Sequence, residues 1–203
     1  MNTFQEQLRR LGAGRKMLEW AVAHDDVRHA WRECPRGDWL LWLALKLGVE
    51  NRVIVFAACE CVRLALPFTT NEEPRTAIIL AEQYASGDRA VTLDEVMFAA
   101  QDSKKAGLRA GCHAAFDAAN ADFAAMHAAM AAAPGSLADG AAVAAVVAVA
   151  EAAADHATHR IDAESAKIEM YAACANVVRN RIAEATIQVR WRQFFDNVET
   201  AQA

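Results

Sequence analysis

The chain has 203 residues, of which 55% are hydrophobic and 23% are charged, and its formal net charge at pH 7 is −5. The hydrophobic share is enough for a buried core and excludes general disorder, and the length fits a single domain. The acidic balance argues against non-specific binding of nucleic acid, which needs a basic face.

Five cysteines are scattered along the chain, an odd number that does not form a disulfide framework. They are expected to be free thiols in a reducing compartment. The N-terminus lacks the apolar core of a signal peptide. The most apolar stretch, 141–154, is shorter than the about 20 residues that a membrane span needs. We therefore expect a cytoplasmic protein with no membrane partner.

Apolar residues in the first half recur at helical spacing, and Pro and Gly mark where the predicted helices end. These helices cover 15–33, 39–47, 51–66, 72–86 and 93–103. Asp38 and Asn71 are the expected N-caps of the second and fourth, and Thr92 with Glu95 forms a capping box before the fifth. The second helix is apolar all round, which is typical of a central, buried helix.

Alanine dominates the chain from residue 106 onward and supplies half of residues 141–160. Helices over 106–132 and 137–160, separated by a Pro-Gly-Ser turn, predict an antiparallel hairpin. Alanine has strong helix propensity and little bulk, so the two helix axes can approach closely. A last helix, 162–198, carries an apolar stripe and several arginines.

The fold class is therefore all-α: a multi-helix bundle with a long Ala-rich hairpin and a long C-terminal helix. We expect one domain over 1–203. Within it, 15–105 forms a Trp-rich part, and 106–203 forms the Ala-rich hairpin and the last helix.

An aromatic cluster lies near the end of the last helix, where Trp191, Phe194 and Phe195 follow Arg190. If these rings are exposed, they indicate a contact with a partner or a second subunit. If they fold back on the core, they only complete its packing, which is the commoner outcome for large aromatic residues. The sequence leaves both alternatives open.

Acidic and histidine side chains at metal-binding spacing occur on two of the predicted helices. They are Glu151, Asp155, His159 and Asp162 on one helix, and His113 and Asp117 on the other. Such residues can bind a metal inside a bundle. The chain has no Glu-x-x-His motif, however, so the simpler interpretation is a solvated, charged face. The sequence predicts no metal and no other cofactor.

Motifs of catalysis are missing from the sequence, which has no Gly-rich phosphate loop, serine elbow, zincin motif or paired CxxC. A nucleophile site can be drawn from Cys34, His29 and Asp38, but one cysteine near a histidine is not the signal of a triad. Helices 39–47 and 51–66 could form a helix-turn-helix. The second is too apolar for a recognition helix and is expected to lie in the core.

Four short segments resemble a known family. They are 38–43 (DWLLWL), 57–63 (AACECVR), 73–78 (EPRTAI) and 81–87 (AEQYASG). They are similar to the immunity-protein family of bacteria and their phages, the Imm5-like domain, which has a Trp-rich segment, a helix with Cys and Arg, and an Arg-Pro-Arg-x-Ala-Ile stretch. Here Glu73 replaces the first Arg of that stretch. The resemblance implies an all-helical protein that binds and neutralises a toxin.

Together, the resemblance and the missing catalytic motifs predict a protein-binding module and not an enzyme: an immunity-type or phage-encoded inhibitor of a toxin or host protein. The residues predicted to bind the partner are Arg63, Glu73, Arg75, Arg190, Trp191, Phe194 and Phe195. Arg63, Glu73 and Arg75 alternatively belong to an ion-pair network that fixes the angle between two helices.

Two other functions are compatible with the sequence. The first is a structural or assembly protein that forms homodimers through the Ala-rich hairpin and the C-terminal aromatic residues. The second is a metal-dependent helical enzyme that uses Asp155, His159 and His113.

Overall fold

The computed structural model describes residues 3–134, 136–157 and 160–200. Within these ranges the chain is all-helical, as the sequence predicts, with a short 3-10 turn at Leu66–Phe68. The helices are α1 (Phe4–Arg10), α2 (Arg15–Ala21), α3 (Val27–Glu33), α4 (Gly37–Lys46), α5 (Asn51–Arg63), α6 (Glu73–Ser86), α7 (Leu93–Cys112), α8 (Phe116–Met130), α9 (Ser136–His156), α10 (Arg160–Arg181) and α11 (Glu184–Thr200). Among the helices of the described ranges, none combines the length and the hydrophobicity of a membrane span.

The buried apolar side chains form one cluster that runs from Phe4 in α1 to Phe195 in α11. Helices α4 and α5 lie at its centre and pack against the Ala-rich α9 and against α10. Helix α5 is a core helix, as predicted, with Ile54, Val55 and Val62 fully buried. The Trp-rich part of the sequence is therefore packed into the Ala-rich part and is not a separate layer.

The prediction of a single helix over 15–33 is wrong, because the chain turns between α2 and α3. Asp26 takes an extended conformation, with φ −149°, and its carboxylate accepts a hydrogen bond from the amide of His29 at 2.7 Å. An aspartate in this role caps the helix that follows it. Helix α1 was not predicted from the sequence.

The helix predicted over 106–132 is also wrong, because the chain reverses at 113–115 and α7 and α8 pack side by side. Ala114 takes the left-handed conformation there, with φ +57°. Gly107 permits the close approach of the two helices, since a Cβ at this position would lie 2.9 Å from Cε1 of the Phe123 ring.

The last helix, predicted over 162–198, is two helices that break at Ile182 and Ala183. The break lets α11 turn toward α3, where Glu184 pairs with Arg28 at 2.8 Å and also with Arg32. Helix α11 therefore packs against α3, one of the first helices of the chain.

The structure confirms the capping box of Thr92 and Glu95 but not the other two predicted caps. Arg36 precedes α4, while Asp38 lies in its first turn. Glu72 precedes α6, and the side chain of Asn71 donates instead to Oδ2 of the buried Asp122, at 2.7 Å. Asn71 thus serves a tertiary contact in place of capping, while Asp38 pairs with the neighbouring Arg36.

Candidate functional site

The charged residues predicted to bind a partner do not form one network. Arg63 on α5 donates two hydrogen bonds to Glu82 on α6, at 2.5 and 2.7 Å, and these raise the pKa of Arg63. Glu73 pairs with Arg109 on α7 at 2.6 Å, while Arg75 donates to the carbonyl of Asn71 at 2.8 Å. Arg63 and Glu73 thus link different pairs of helices.

The C-terminal aromatic residues fold back on the core. Trp191 is 7% exposed and Phe195 8%, and the ring centroids of Phe4 and Trp191 are 5.4 Å apart. Trp191 and Phe195 are therefore corrected from partner-binding residues to packing residues. Phe194 is half-buried against Phe195, and Arg190 makes no ion pair or side-chain hydrogen bond within the described part of the chain.

Three of the four acidic residues considered as metal ligands pair with other side chains in the structure. Glu151 pairs with Lys167, Asp155 accepts from Asn120 at 2.7 Å, and Asp117 contacts His156 at 2.9 Å. The His156 contact is the largest cause of the lowered pKa of Asp117. His159 lies outside the described residues, and the remainder hold no group of three or more side chains that could bind a metal.

The structure does not assemble the nucleophile site drawn from Cys34, His29 and Asp38. Burial raises the pKa of the Cys34 thiol to about 12, so that its reactive thiolate is scarcely populated at neutral pH. His29 contacts Glu33 at 2.8 Å, and Asp38 accepts two hydrogen bonds from Arg36.

The α6–α7 groove is an open cavity of about 420 Å³ between the two helices for which it is named. Its walls are single faces of the two helices, since residues three or four apart lie side by side on a helix. The described residues that line it are Glu72, Glu73, Thr76 and Leu80 on the α6 side, and Glu95, Phe98, Ala99 and Asp102 on the α7 side. Of the predicted site residues, the groove contains Glu73.

Four of the described residues that line the α6–α7 groove carry carboxylates and none is basic. Three of these carboxylates pair with cations outside the lining: Glu72 with Arg75, Glu73 with Arg109 and Asp102 with Lys105. Hydrogen bonding to its own backbone amide, followed by Arg109, lowers the pKa of Glu73. The backbone amide of Thr92, followed by its hydroxyl, lowers the pKa of Glu95. Both groups are therefore ionised at neutral pH. Glu95 has no basic partner within the described ranges.

An exposed aromatic ring stands among these carboxylates. Phe98 is 71% exposed, and the half-buried Leu80 faces the same cavity from α6. Sequence reasoning missed Phe98, Glu95 and Asp102 as site residues. Their spacing at i, i+3 and i+7 was the available signal, since it places all three on one face of α7. This face lies away from the buried stripe of the helix, so that an aromatic residue stands on a polar face.

The lowered pKa of Glu95 predicts how acid affects the capping box. The stabilisation by the ionised carboxylate is present above its ordinary pKa of 4.5 and is lost as the pH falls through the lower value of the folded protein. Glu95→Gln keeps an acceptor for the cap but cannot titrate. We expect this variant to lose less stability than the wild type between pH 7 and pH 3.5, measured by urea unfolding.

Asp94→Asn is the matched control, because it removes a negative charge from the same helical turn but leaves the capping box intact. It should lose stability in parallel with the wild type over that pH range. A parallel loss in Glu95→Gln as well would show that the cap carboxylate does not contribute to the pH dependence.

Comparison of the chain with protein-family models, with curated proteins and with solved structures found no match to any of them. The resemblance to the immunity-protein family therefore stays a prediction that depends on the four segments quoted above.

Proposed function

We propose that this chain is a protein-binding module that neutralises a protein partner without catalysis, and that the α6–α7 groove receives a basic, amphipathic segment of that partner. The observation that carries the proposal is the exposed ring of Phe98, which stands in a groove with four carboxylates and no basic lining residue among those described. The partner is a toxin or a host protein inside the bacterial or phage-infected cell that makes this chain.

Exposed aromatic residues are common anchors of protein interfaces, where one ring often contributes much of the binding energy. Phe98 supplies such an anchor, and Leu80 gives it an apolar neighbour across the groove. The surrounding carboxylates would attract a cationic partner and speed the encounter, in a manner that salt weakens. A helix that carries lysine or arginine around an apolar stripe has the matching chemistry.

The family resemblance supports the same surface. Two of the segments that carry it, 73–78 and 81–87, form α6 and the glycine that ends it. Glu73, which departs from the family's stretch by replacing an arginine, places a carboxylate in the groove lining, where it pairs with Arg109. We propose that this departure adapts the chain to a more basic partner.

The alternative of self-association through the Ala-rich hairpin and the C-terminal aromatic residues has less support. The described alanines that face inward on α8 and α9, together with Trp191 and Phe195, are buried within a single chain. They are therefore already used by the fold, and Phe116 is the large apolar side chain that α8 and α9 leave exposed among the described residues.

The test begins with a photo-crosslinking amino acid placed at residue 98 in the producing cell. The control position is Val22, which is 70% exposed and lies outside the α6–α7 groove. We expect residue 98 to form a covalent adduct with one protein that residue 22 does not capture. The adduct should be weaker when Glu95→Lys is added, because the groove then carries an opposing charge.

The identified protein is then titrated with purified variants by calorimetry. Phe98→Ala should weaken binding at least about ten-fold, or about 1.4 kcal/mol, which is typical of an interface anchor. Val22→Ala should leave the affinity unchanged. Absence of an adduct at residue 98, or an affinity that neither Phe98→Ala nor Glu95→Lys alters, would refute the groove as the binding site.

A further inference from the structure

A second cavity, here called the Arg36 cleft, lies away from the α6–α7 groove and has the opposite character. It encloses about 410 Å³, a size that suits a small molecule. Lys16 and Arg36 line it on one side, and Glu164, Lys167 and Tyr171 of α10 line it on the other. Three cationic side chains and one carboxylate thus meet at a single cavity.

Arg36 is held rigidly in this cleft. Its Nε and Nη2 donate to the two carboxylate oxygens of the buried Asp38, at 2.8 and 2.7 Å. Its guanidinium carbon also lies 3.7 Å from the ring centroid of Tyr171 and 5.1 Å from that of Trp39. Both interactions fix the plane of the guanidinium group.

The other donors of Arg36 remain unused. A guanidinium group has five N–H donors, and Asp38 accepts from the edge formed by Nε and Nη2. Within the described part of the chain, the edge formed by Nη1 and Nη2 has no further acceptor. Two parallel N–H groups at such an edge match the oxygens of a carboxylate or phosphate group.

Tyr171 adds a second unused donor. Tyr171 as a whole residue is 5% exposed, and its hydroxyl makes no hydrogen bond to any other described residue. Burial raises its pKa to about 12, so the hydroxyl keeps its proton and can donate it. The hydroxyl oxygen is not fully buried, so that solvent, or a ligand in the cleft that Tyr171 lines, can accept its hydrogen bond.

Lys16 provides a positive charge that no ion pair neutralises, unlike the other two cations of the cleft. Asp38 neutralises Arg36, and Glu151 pairs with Lys167. Lys16 makes no ion pair within the described ranges. It also lines an adjoining open groove of about 400 Å³, whose walls include Trp39 and Trp42. The Arg36 cleft and this Trp-lined groove therefore meet at one lysine with an available ammonium group.

We propose that the Arg36 cleft binds the oxyanion group of a small molecule, a phosphate or carboxylate, whose planar ring lies in the adjoining groove against Trp39 and Trp42. The free edge of Arg36, the hydroxyl of Tyr171 and the ammonium of Lys16 donate hydrogen bonds to the oxyanion. Because the net charge of the cleft is small, affinity depends on these oriented donors together with aromatic contact.

Phenyl phosphate is the simplest probe that joins the two chemical groups. The full-length protein is labelled with ¹⁵N and titrated at constant ionic strength with phenyl phosphate, inorganic phosphate and sodium chloride. We expect phenyl phosphate to shift the Arg36 Nε signal and the Trp39 and Trp42 indole signals along one saturable curve. Inorganic phosphate should shift the Arg36 signal with a weaker affinity, and chloride should have no saturable effect.

Lys16→Gln should weaken the binding of phenyl phosphate by about five-fold, because it removes one charged donor. Lys104→Gln is the matched control, since Lys104 is an exposed lysine of α7 outside both cavities. Tyr171→Phe keeps the ring beside Arg36 and should weaken binding through loss of the hydroxyl alone. Near-UV circular dichroism checks that each variant is folded.

Three results would overturn the proposal. One is the absence of any saturable shift with phenyl phosphate. Another is equal affinity in Lys16→Gln and Lys104→Gln. The third is binding of inorganic phosphate as strong as that of phenyl phosphate, with the two indole signals unmoved.

Discussion

Gly37→Ala is expected to destabilise the protein by about 3 kcal/mol, the upper end of what one added core methyl group usually costs. Gly37 begins α4 and lies directly against the backbone of α10. A Cβ at this position would lie 2.6 Å from Cβ of Cys174 and 2.8 Å from the amide nitrogen of Ala175. Real Cβ atoms do not approach other atoms so closely, so α4 and α10 would have to move apart.

The neighbours of Gly37 make this cost difficult to relieve. Two of the three nearest atoms belong to the backbone of a helix that is packed on both α4 and α5. A rotamer change therefore cannot relieve the clash, and well-packed interiors resist the shift of a whole helix. The separation would also disturb the Arg36 cleft, because Arg36 and Tyr171 stand on either side of this contact.

Gly140→Ala is the matched control for Gly37→Ala. Gly140 lies within α9, where an added Cβ would meet no atom within 4 Å. Replacement by alanine in an exposed helix should stabilise the protein by about 0.5–1 kcal/mol. Urea unfolding of both variants measures the difference. A Gly37→Ala protein as stable as the wild type would show that α4 and α10 are not in close contact.

Trp31→Ala is expected to destabilise the protein by about 3–5 kcal/mol, the range for truncation of a large, fully buried aromatic residue. Trp31 is 1% exposed and is the largest of the fully buried side chains in the described ranges. Its removal takes away apolar contacts and leaves a cavity that α3 and its neighbours cannot fill without moving. Its carbonyl also accepts a hydrogen bond from Arg179 of α10, at 3.3 Å.

Phe98→Ala is the matched control for Trp31→Ala, since it truncates an aromatic ring that is 71% exposed. It should change stability by less than about 0.5 kcal/mol. The loss of stability in Trp31→Phe should lie between those of the two alanine variants, because phenylalanine retains most of the buried volume. Unfolding should be followed by circular dichroism and not by tryptophan fluorescence, because the substitution removes one of the five tryptophans. A loss below about 1 kcal/mol for Trp31→Ala would contradict its central position.

The sequence predicted the helical class and most helices of the first half, because Pro, Gly and capping residues carry clear local signals there. Thr92 and Glu95 mark the start of α7 in this way. The predictions failed where alanine surrounds the break. Ala114 reverses the chain although alanine favours helices, since packing α8 against α7 outweighs the local preference of a single residue.

The candidate groove was less accessible to sequence reasoning. Glu73 was found through the family resemblance and Glu95 as a cap, but nothing in the sequence showed that they line one cavity. That depends on which faces of α6 and α7 lie together, which helical spacing on each separate helix does not specify. From the sequence, Trp191 and Phe195 fit either a partner surface or the core, and the contact of Phe4 with Trp191, which stacks in turn on Phe195, places them in the core.

Trp31 and Gly37 show what the sequence determined by itself and what only the tertiary structure decided. The sequence placed Trp31 in a predicted helix whose apolar residues recur at helical spacing, and a large aromatic residue in such a helix usually packs in the core. It identified Gly37 only as part of a break between helices. The tertiary structure decided that Gly37 is the contact point of α4 and α10. The missing side chain matters only through a helix far along the chain, whose position follows from the packing of the whole bundle.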